Sequence, residues 1–536
     1  METIAVIPIF VNAGAAVLPT SVAAVASVAM VVFKPRELVH LLGRPPVALG
    51  VPVGIVAIGL GITMWCLYSA LTAHPAQRDG VGATFHYDWA KVAQELVAQQ
   101  QVRQGTTAAT AGSTGQAGPA DSAIERSVVA SCANQDSSCS SPAMGPSPIK
   151  LSPLWRFCPE DTMFLGTPAV IGNRIFVAGC QTDLGGYTGL LACLDRETGK
   201  PLWQVAEIKG EPLRPFFSSP AVTEDGKYLV IGQGLHEDRD CSLLCFDAAT
   251  GQLRWAAKTP LHIESSPAIF RDMAVVGAGA VEGRDGKPVG HPGYCLAVRI
   301  SDGKELWRQP VNDPESSPAI DENGIVYIGS GFHGKAVIAI RSESDEQLRA
   351  ENLERIAWRT SVAQPIPGPV TLAGAVVVAG GGNSDLVHSN RDARGLVAAF
   401  DRRTGAILWQ AQFDDAVLGG IACGAGTLFC PVRTGEVVAL ALKDGRTLWR
   451  TRISGNAPVL GGCALAAARV YAASSDGYLA VLGAEDGRVL EKTYLNDQGR
   501  PGTGLTLSTP RVAGRRVVVG SETGGLCCLL ESGGTG

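Results

Sequence analysis

The stretch Asp195-Arg-Glu-Thr198-Gly199-Lys-Pro-Leu-Trp203 returns as Asp247-Ala-Ala-Thr250-Gly251-Gln-Leu-Arg-Trp255 and as Asp401-Arg-Arg-Thr404-Gly405-Ala-Ile-Leu-Trp409. Trp155, Trp203, Trp255, Trp307, Trp358, Trp409 and Trp449 mark one recurring step, at intervals of 40 to 52 residues. A period of this size describes an array of small supersecondary units, none of which buries its own apolar face alone. Chemically the phrase is a turn followed by a wedge. Gly supplies positive φ, and the Asp side chain accepts backbone N–H bonds. The Trp then falls on an outer strand, where its ring docks between adjacent units and removes roughly 150–250 Å² from water. At ~25 cal/mol per Å² this is worth several kcal/mol per ring. Weaker copies are Asp302-Gly303…Trp307, Asp444-Gly445…Trp449 and Asp486-Gly487.

A second landmark fixes the number of units. A Pro or Gly step opens an apolar run at Thr167-Pro168, Ser219-Pro220, Ser266-Pro267, Ser317-Pro318, Gly368-Pro369, Gly419-Gly420, Gly461-Gly462 and Thr509-Pro510, which is eight times. Outer strands also number eight if Arg488-Val-Leu-Glu491 is a unit that has lost its aromatic. Two further β-rich runs lie between the landmarks, such as Arg174 to Ala178 and Gly189 to Leu194, so each unit is four short strands with Gly-rich turns. Such units read as the blades of an all-β, eight-bladed β-propeller over residues 151–536, radial packing protecting the strand edges. The phase predicts how the ring closes. The first landmark is an outer strand with no blade before it, and the last unit ends at Leu530 without one. The N-terminal strand therefore completes the final blade.

Ahead of the ring, residues 1–74 hold two charge-free apolar runs, Ile4 to Phe33 and Pro45 to Ala73. Each is long enough for a membrane-spanning helix, which takes ~20 residues. The short loop between them carries Lys34, Arg36 and Arg44 against Glu37, which places it in the cytoplasm by the positive-inside tendency. The propeller would then sit outside a bacterial inner membrane, in the periplasm. A buried or re-entrant run in place of one span would invert that topology. Residues 75–150 hold an amphipathic stretch and then a linker rich in Ala, Gly, Ser, Thr, Gln and Pro, too polar to offset its ordering entropy. Cys132 and Cys139 in this linker could close a small loop or remain thiols. A net charge of −5 provides no electrostatic footprint for nucleic acid.

The Asp-x-x-Thr-Gly-x-x-x-Trp phrases resemble the quinoprotein-type repeat shared by pyrroloquinoline-quinone (PQQ) alcohol dehydrogenases and by BamB, the non-enzymatic propeller of the outer-membrane barrel-assembly machine. The resemblance covers about Ser152 to Ser532, and it implies the fold more than the function. For an enzyme it implies PQQ over the ring centre, a Trp floor, calcium held by carboxylate and amide oxygens, an Asp base and a disulfide between adjacent cysteines. All seven propeller Trp fall at docking positions, which leaves none for a floor. Cys527-Cys528 is adjacent but falls in a strand, where successive side chains point to opposite faces. Two separately packed thiols are the better reading.

The eight His show no close ligand spacing, and there is no nucleophile elbow or phosphate loop. The sequence therefore assigns no catalytic, cofactor-binding or metal-ligating residue. It points to a membrane-anchored scaffold that meets envelope proteins through loops on one propeller face, with no cofactor. The alternatives are a PQQ- and calcium-dependent dehydrogenase and a ligand-binding sensor. The loops between second and third strands are long at Cys180 to Gly189, Gln233 to Ser242, Gly279 to Tyr294 and Gly382 to Gly395, and short in the last three blades. They form a wall carrying His236, Asp238, Glu282, Arg284, Asp285, His291, Asp385, His388 and Arg391 as candidate partner contacts. Glu264 and Glu315, each just before a Ser-Ser-Pro step, are the candidate contacts for a cation or ligand at the channel mouth.

Overall fold

A computed structural model describes residues 149–183, 186–236, 238–279, 292–496 and 506–532. Eight sheets are built on the four-strand plan, each strand antiparallel to the one before. The first blade, for example, runs Ala169–Ile171, Arg174–Asp183, Gly186–Asp195 and Pro201–Val205, with the short strand Thr162–Met163 added at its edge. The innermost strands touch in chain order, and that of the eighth blade (Arg511–Ala513) meets that of the first, so the ring is closed. Closure follows the phase of the repeat: Lys150–Phe157 pairs with Gly525–Ser532 and becomes the outer strand of the eighth blade.

Core residues lie in the seams between blades. Eight apolar clusters each combine side chains from two neighbouring sheets, as where Phe176 and Leu191 of the first blade meet Leu229 and Phe246 of the second. Second and third strands are buried on both faces, which explains their unbroken apolar runs. Outer strands alternate exposed and covered residues, as in Leu253–Leu261.

Every indole in the ring closes a seam. Trp155, Trp203, Trp255, Trp307, Trp358, Trp409 and Trp449 each donate Nε1–H to a backbone carbonyl of the next blade, at 2.6 to 3.2 Å. Six of the rings lie against the glycine of the next blade's turn. A Cβ on Gly405, for example, would stand 2.5 Å from Trp358, and its φ of +73° already disfavours a side chain. The repeated Gly therefore does two jobs, shaping the turn and admitting the previous indole. In the turn itself, the Asp195 carboxylate accepts the N–H groups of Glu197 and Thr198 and the Thr198 hydroxyl, which holds its pKa below the usual range.

Two seams depart from the rule. At the fourth blade the turn is replaced by a helix, Asp345–Glu351, capped by Ser344, and Trp307 donates to Ser342 with Arg355 over its ring. Between the seventh and eighth blades no indole is present among the described residues. Leu490 packs there, and Glu531 takes Arg469 as an ion pair and the Tyr471 hydroxyl at 2.9 Å.

Cys180 to Gly189 is a correction to the sequence reading. These residues extend the second and third strands as a hairpin, with Cys180 opposite Gly189 and Asp183 opposite Gly186. The wall of the first blade is thus a β-arm, in which Gln181 pairs with Thr188 and Thr182 with Tyr187. No helix among the described residues is long and apolar enough to cross a membrane. The two apolar runs and the linker lie outside the described residues.

Candidate functional site

The lead-in turns of all eight blades converge on the ring axis, where they line a cavity of about 200 Å³. The repeat makes these turns comparable position by position. Thr167, Ser219, Ser266, Ser317, Gly368, Gly420, Gly462 and Thr509 are equivalent. Their hydroxyls form a relay around the hub. Gly462 N–H donates to Thr509, Thr509 to Thr167, Thr167 to Ser219, Ser219 to Ser266 and Ser266 to Ser317, each at 2.8 to 3.1 Å from amide to hydroxyl. Two residues earlier in each turn stand Leu165, Phe217, Glu264, Glu315, Ile366, Leu418, Leu460 and Leu507. Six of these eight are apolar. The two carboxylates are neighbours, on the third and fourth blades.

Glu264 and Glu315 both line the cavity, together with His236 from the second-blade loop and Asp385 from the fifth. His236 Nδ1 is 2.7 Å from Glu315 Oε1, and His262 Nε2 is 3.6 Å from the same oxygen. The two imidazole rings are 5.2 Å apart, tilted by 46°. His262 is fully buried. Its imidazole sits against Gly279, where a Cβ would come 2.3 Å from Nε2, and its own Cβ lies close to Gly234. The His236 backbone N–H is directed at the Glu264 carboxylate.

These groups set each other's charge. Both carboxyls are partly exposed to the cavity but lie deep within the ring, so the surrounding protein governs their hydration. Burial, and then the Glu315 charge beside it, push Glu264 up to about 8. Burial would raise Glu315 as well, but the adjoining imidazoles of His236 and His262 overcome it and hold Glu315 below the usual carboxylate range. One acid of the pair thus keeps its proton while the other is charged, as expected of close like charges.

The other wall residues are placed as follows. Asp238 ties its own loop, accepting the Leu235 N–H at 2.8 Å and pairing with Arg214 at 3.3 Å. Asp385 caps its loop through the N–H groups of Val387 and His388, while its carbonyl takes Arg433. His388 and Arg391 are exposed on that loop. Glu282, Arg284, Asp285 and His291 lie outside the described residues. Sequence reasoning placed His236 on the wall, apart from the glutamates, and the structure joins it to them. It missed His262 altogether, although His262-Ile-Glu264 on an extended lead-in carries a usable signal. With a strand period of two, both side chains share one face.

A quinone site of the dehydrogenase kind calls for an aromatic platform and cationic partners for a tricarboxylate. Among the described residues, no Trp, Lys or Arg lines the cavity; its charged groups are Glu264, Glu315, Asp385 and His236, and its aromatics are Phe217 and Phe332. Cys527 and Cys528 are free thiols packed in different seams, Cys527 with Leu479 and Val519, Cys528 with Val177 and Leu190. The hub residues therefore do not fit PQQ.

Ring, repeat and hub define an eight-bladed propeller of the PQQ-like repeat class. The chain belongs to the family described as outer membrane protein assembly factor BamB, whose model matches residues 152–392 and 393–535. It is 23% identical to the outer membrane protein assembly factor BamB of Yersinia pestis, over 53% of this chain and 65% of that protein. It is 24% identical to a lupanine 17-hydroxylase [cytochrome c] of a Pseudomonas species, over 54% of this chain and 50% of that enzyme. The chain thus spans less than two thirds of either relative. Among solved structures, BamB from Moraxella catarrhalis aligns with a TM-score of 0.52 at 15% identity, covering 72% of this chain and all of that one. A europium-containing methanol dehydrogenase aligns with a TM-score of 0.51 at 13% identity, covering 69% and 84%. These two likenesses are of fold alone.

Proposed function

We propose that this chain is a non-catalytic, protein-binding scaffold of the bacterial cell envelope, tethered to the inner membrane by its N-terminal apolar runs with the propeller in the periplasm. The observation that carries the reading is the division of aromatic labour: the seven propeller indoles are spent on seams and the hub is acidic and apolar. Membership of the BamB family supports it, as does the raised face where the hub cavity opens beside the loops of His236 and Asp385. A rigid ring with one irregular loop face suits recognition of envelope proteins, including those of outer-membrane assembly. In this reading the membrane runs stand where a lipid anchor would otherwise serve.

A second reading, a quinoprotein dehydrogenase, is favoured by the match to the Pseudomonas hydroxylase and opposed by the hub lining. One experiment separates them. Purified full-length protein is mixed with PQQ and calcium, then followed by thermal unfolding and dye-linked oxidation of alcohols. The scaffold reading expects no shift and no turnover, while photocrosslinkers at His388 and Arg391 capture envelope proteins in native membranes. Cofactor-dependent turnover, or capture no different from crosslinkers placed on the outer strands, overturns it.

A further inference from the structure

We propose that His236, His262 and Glu264, backed by Glu315, form a binding site for a zinc-class divalent transition metal at the hub, where the second, third and fourth blades meet. The inference stands independently of the scaffold reading. The ring position that carries Glu264 and Glu315 is apolar in the other six blades, so nothing in the fold requires a carboxylate there. Two adjacent blades nevertheless carry one each. Two residues before Glu264 stands His262, whose imidazole is fully buried, with Nδ1 meeting no hydrogen-bond partner and Nε2 reaching Glu315 only at 3.6 Å. A buried imidazole of that kind is costly unless something takes its lone pair.

One ligand atom from each of His236, His262 and Glu264 lies within 4.8 Å of the others. Around a tetrahedral zinc, with ligand bonds of ~2.0–2.2 Å, neighbouring ligand atoms stand about 3.4 Å apart. Side-chain rotations of roughly an ångström therefore close the triad, and no blade has to move. Two nitrogens and an oxygen select zinc and its neighbours over calcium or magnesium, which prefer all-oxygen shells. Glu315, at 2.7 Å from His236 Nδ1, stands as the carboxylate that orients a metal-bound histidine. Together the two carboxylates balance a divalent charge. Glu264 lines the cavity, so a fourth position would face it, open to water or to a carboxylate or imidazole of a guest.

The test uses the full chain in detergent, stripped with chelator and dialysed. Titration with zinc against a competing chromophoric chelator is expected to show about one tight equivalent per chain. Calcium should not compete. Cobalt(II) should bind with the visible bands of a near-tetrahedral site and without thiolate charge-transfer bands, which separates it from the fourteen cysteines. H262N and E264Q are each expected to lose the tight equivalent, and E315Q to weaken it by roughly 10–100-fold. H388A serves as the control and should leave it intact. Should H262N fail to fold, E264Q and the wild-type cobalt spectrum still decide. Wild-type protein binding no more zinc than E264Q, or a cobalt spectrum dominated by thiolate bands, overturns the proposal.

Discussion

The rim and the hub of this ring follow opposite rules. At the rim, seven indoles repeat one contact, an N–H to the next blade's carbonyl, with six of the rings resting on that blade's turn glycine. Only the Trp307 seam, where a helix replaces the turn, departs from that pattern. At the hub, seven of the eight equivalent positions line one cavity, all but the buried Ile366, and two of them break the apolar pattern with carboxylates. Repetition at the rim supplies closure and stability. Departure at the hub costs stability, since an acid there must be desolvated, and such costs persist where function needs them.

The sharpest test of the rim compares two seams. Trp358 is 9% exposed and packs against Tyr327 and Phe400, whereas the seam between the seventh and eighth blades has Glu491 at the equivalent position with the partly buried Leu490 beside it. Trp358→Ala is expected to cost about 3–5 kcal/mol in urea unfolding. Leu490→Ala, partly buried, should cost no more than about 2 kcal/mol. Equal losses would mean that the indoles are not what holds the blades.

A smaller effect distinguishes the thiols. Burial pushes Cys527 and Cys528 up to about 11, so neither is a thiolate near neutral pH. Cys158 is exposed. Brief alkylation of the native protein at pH 7.5, mapped by mass spectrometry, is expected to mark Cys158 and leave Cys527 and Cys528 unmodified until the chain unfolds. Recovery of a Cys527–Cys528 disulfide would place redox chemistry back in the account.

Blade number, seam positions and ring closure were legible in the chain because each rests on a local rule repeated many times. Asp-x-x-Thr-Gly needs only nearest neighbours to form, and the missing outer strand at Leu530 needs only counting. Glu264 and Glu315 could be placed at the channel because the Ser-Ser-Pro step after each locates them on the lead-in turn. The meeting of His236 with Glu315 was not legible. It depends on how far the second-blade loop leans over the axis, and the 78 residues between the two carry no local signal of that. His262 was hidden for a different reason: its cradle is made by Gly234 and Gly279, whose missing Cβ atoms matter only once three strands are assembled. The hairpin arm at Cys180 to Gly189 was misjudged because polar residues such as Gln181 and Thr182 read as loop until they are paired.

The claim that the hub trades stability for function is tested most directly at Glu264. In the folded ring its carboxyl keeps its proton to about pH 8, whereas in the unfolded chain it releases it near 4.5. Between those values the native state holds more protons, so this group's contribution is fully present below pH 4.5 and is lost as pH rises through 8. Leu stands at four of the equivalent positions and has no proton to lose. Thermal unfolding of chelator-treated wild type and Glu264→Leu, followed from about pH 5 to about pH 9, measures the difference. The expected result is a variant whose melting temperature gains on wild type as pH rises and exceeds it at the alkaline end. A variant that melts below wild type at the alkaline end, or a gap that does not change with pH, would contradict the account.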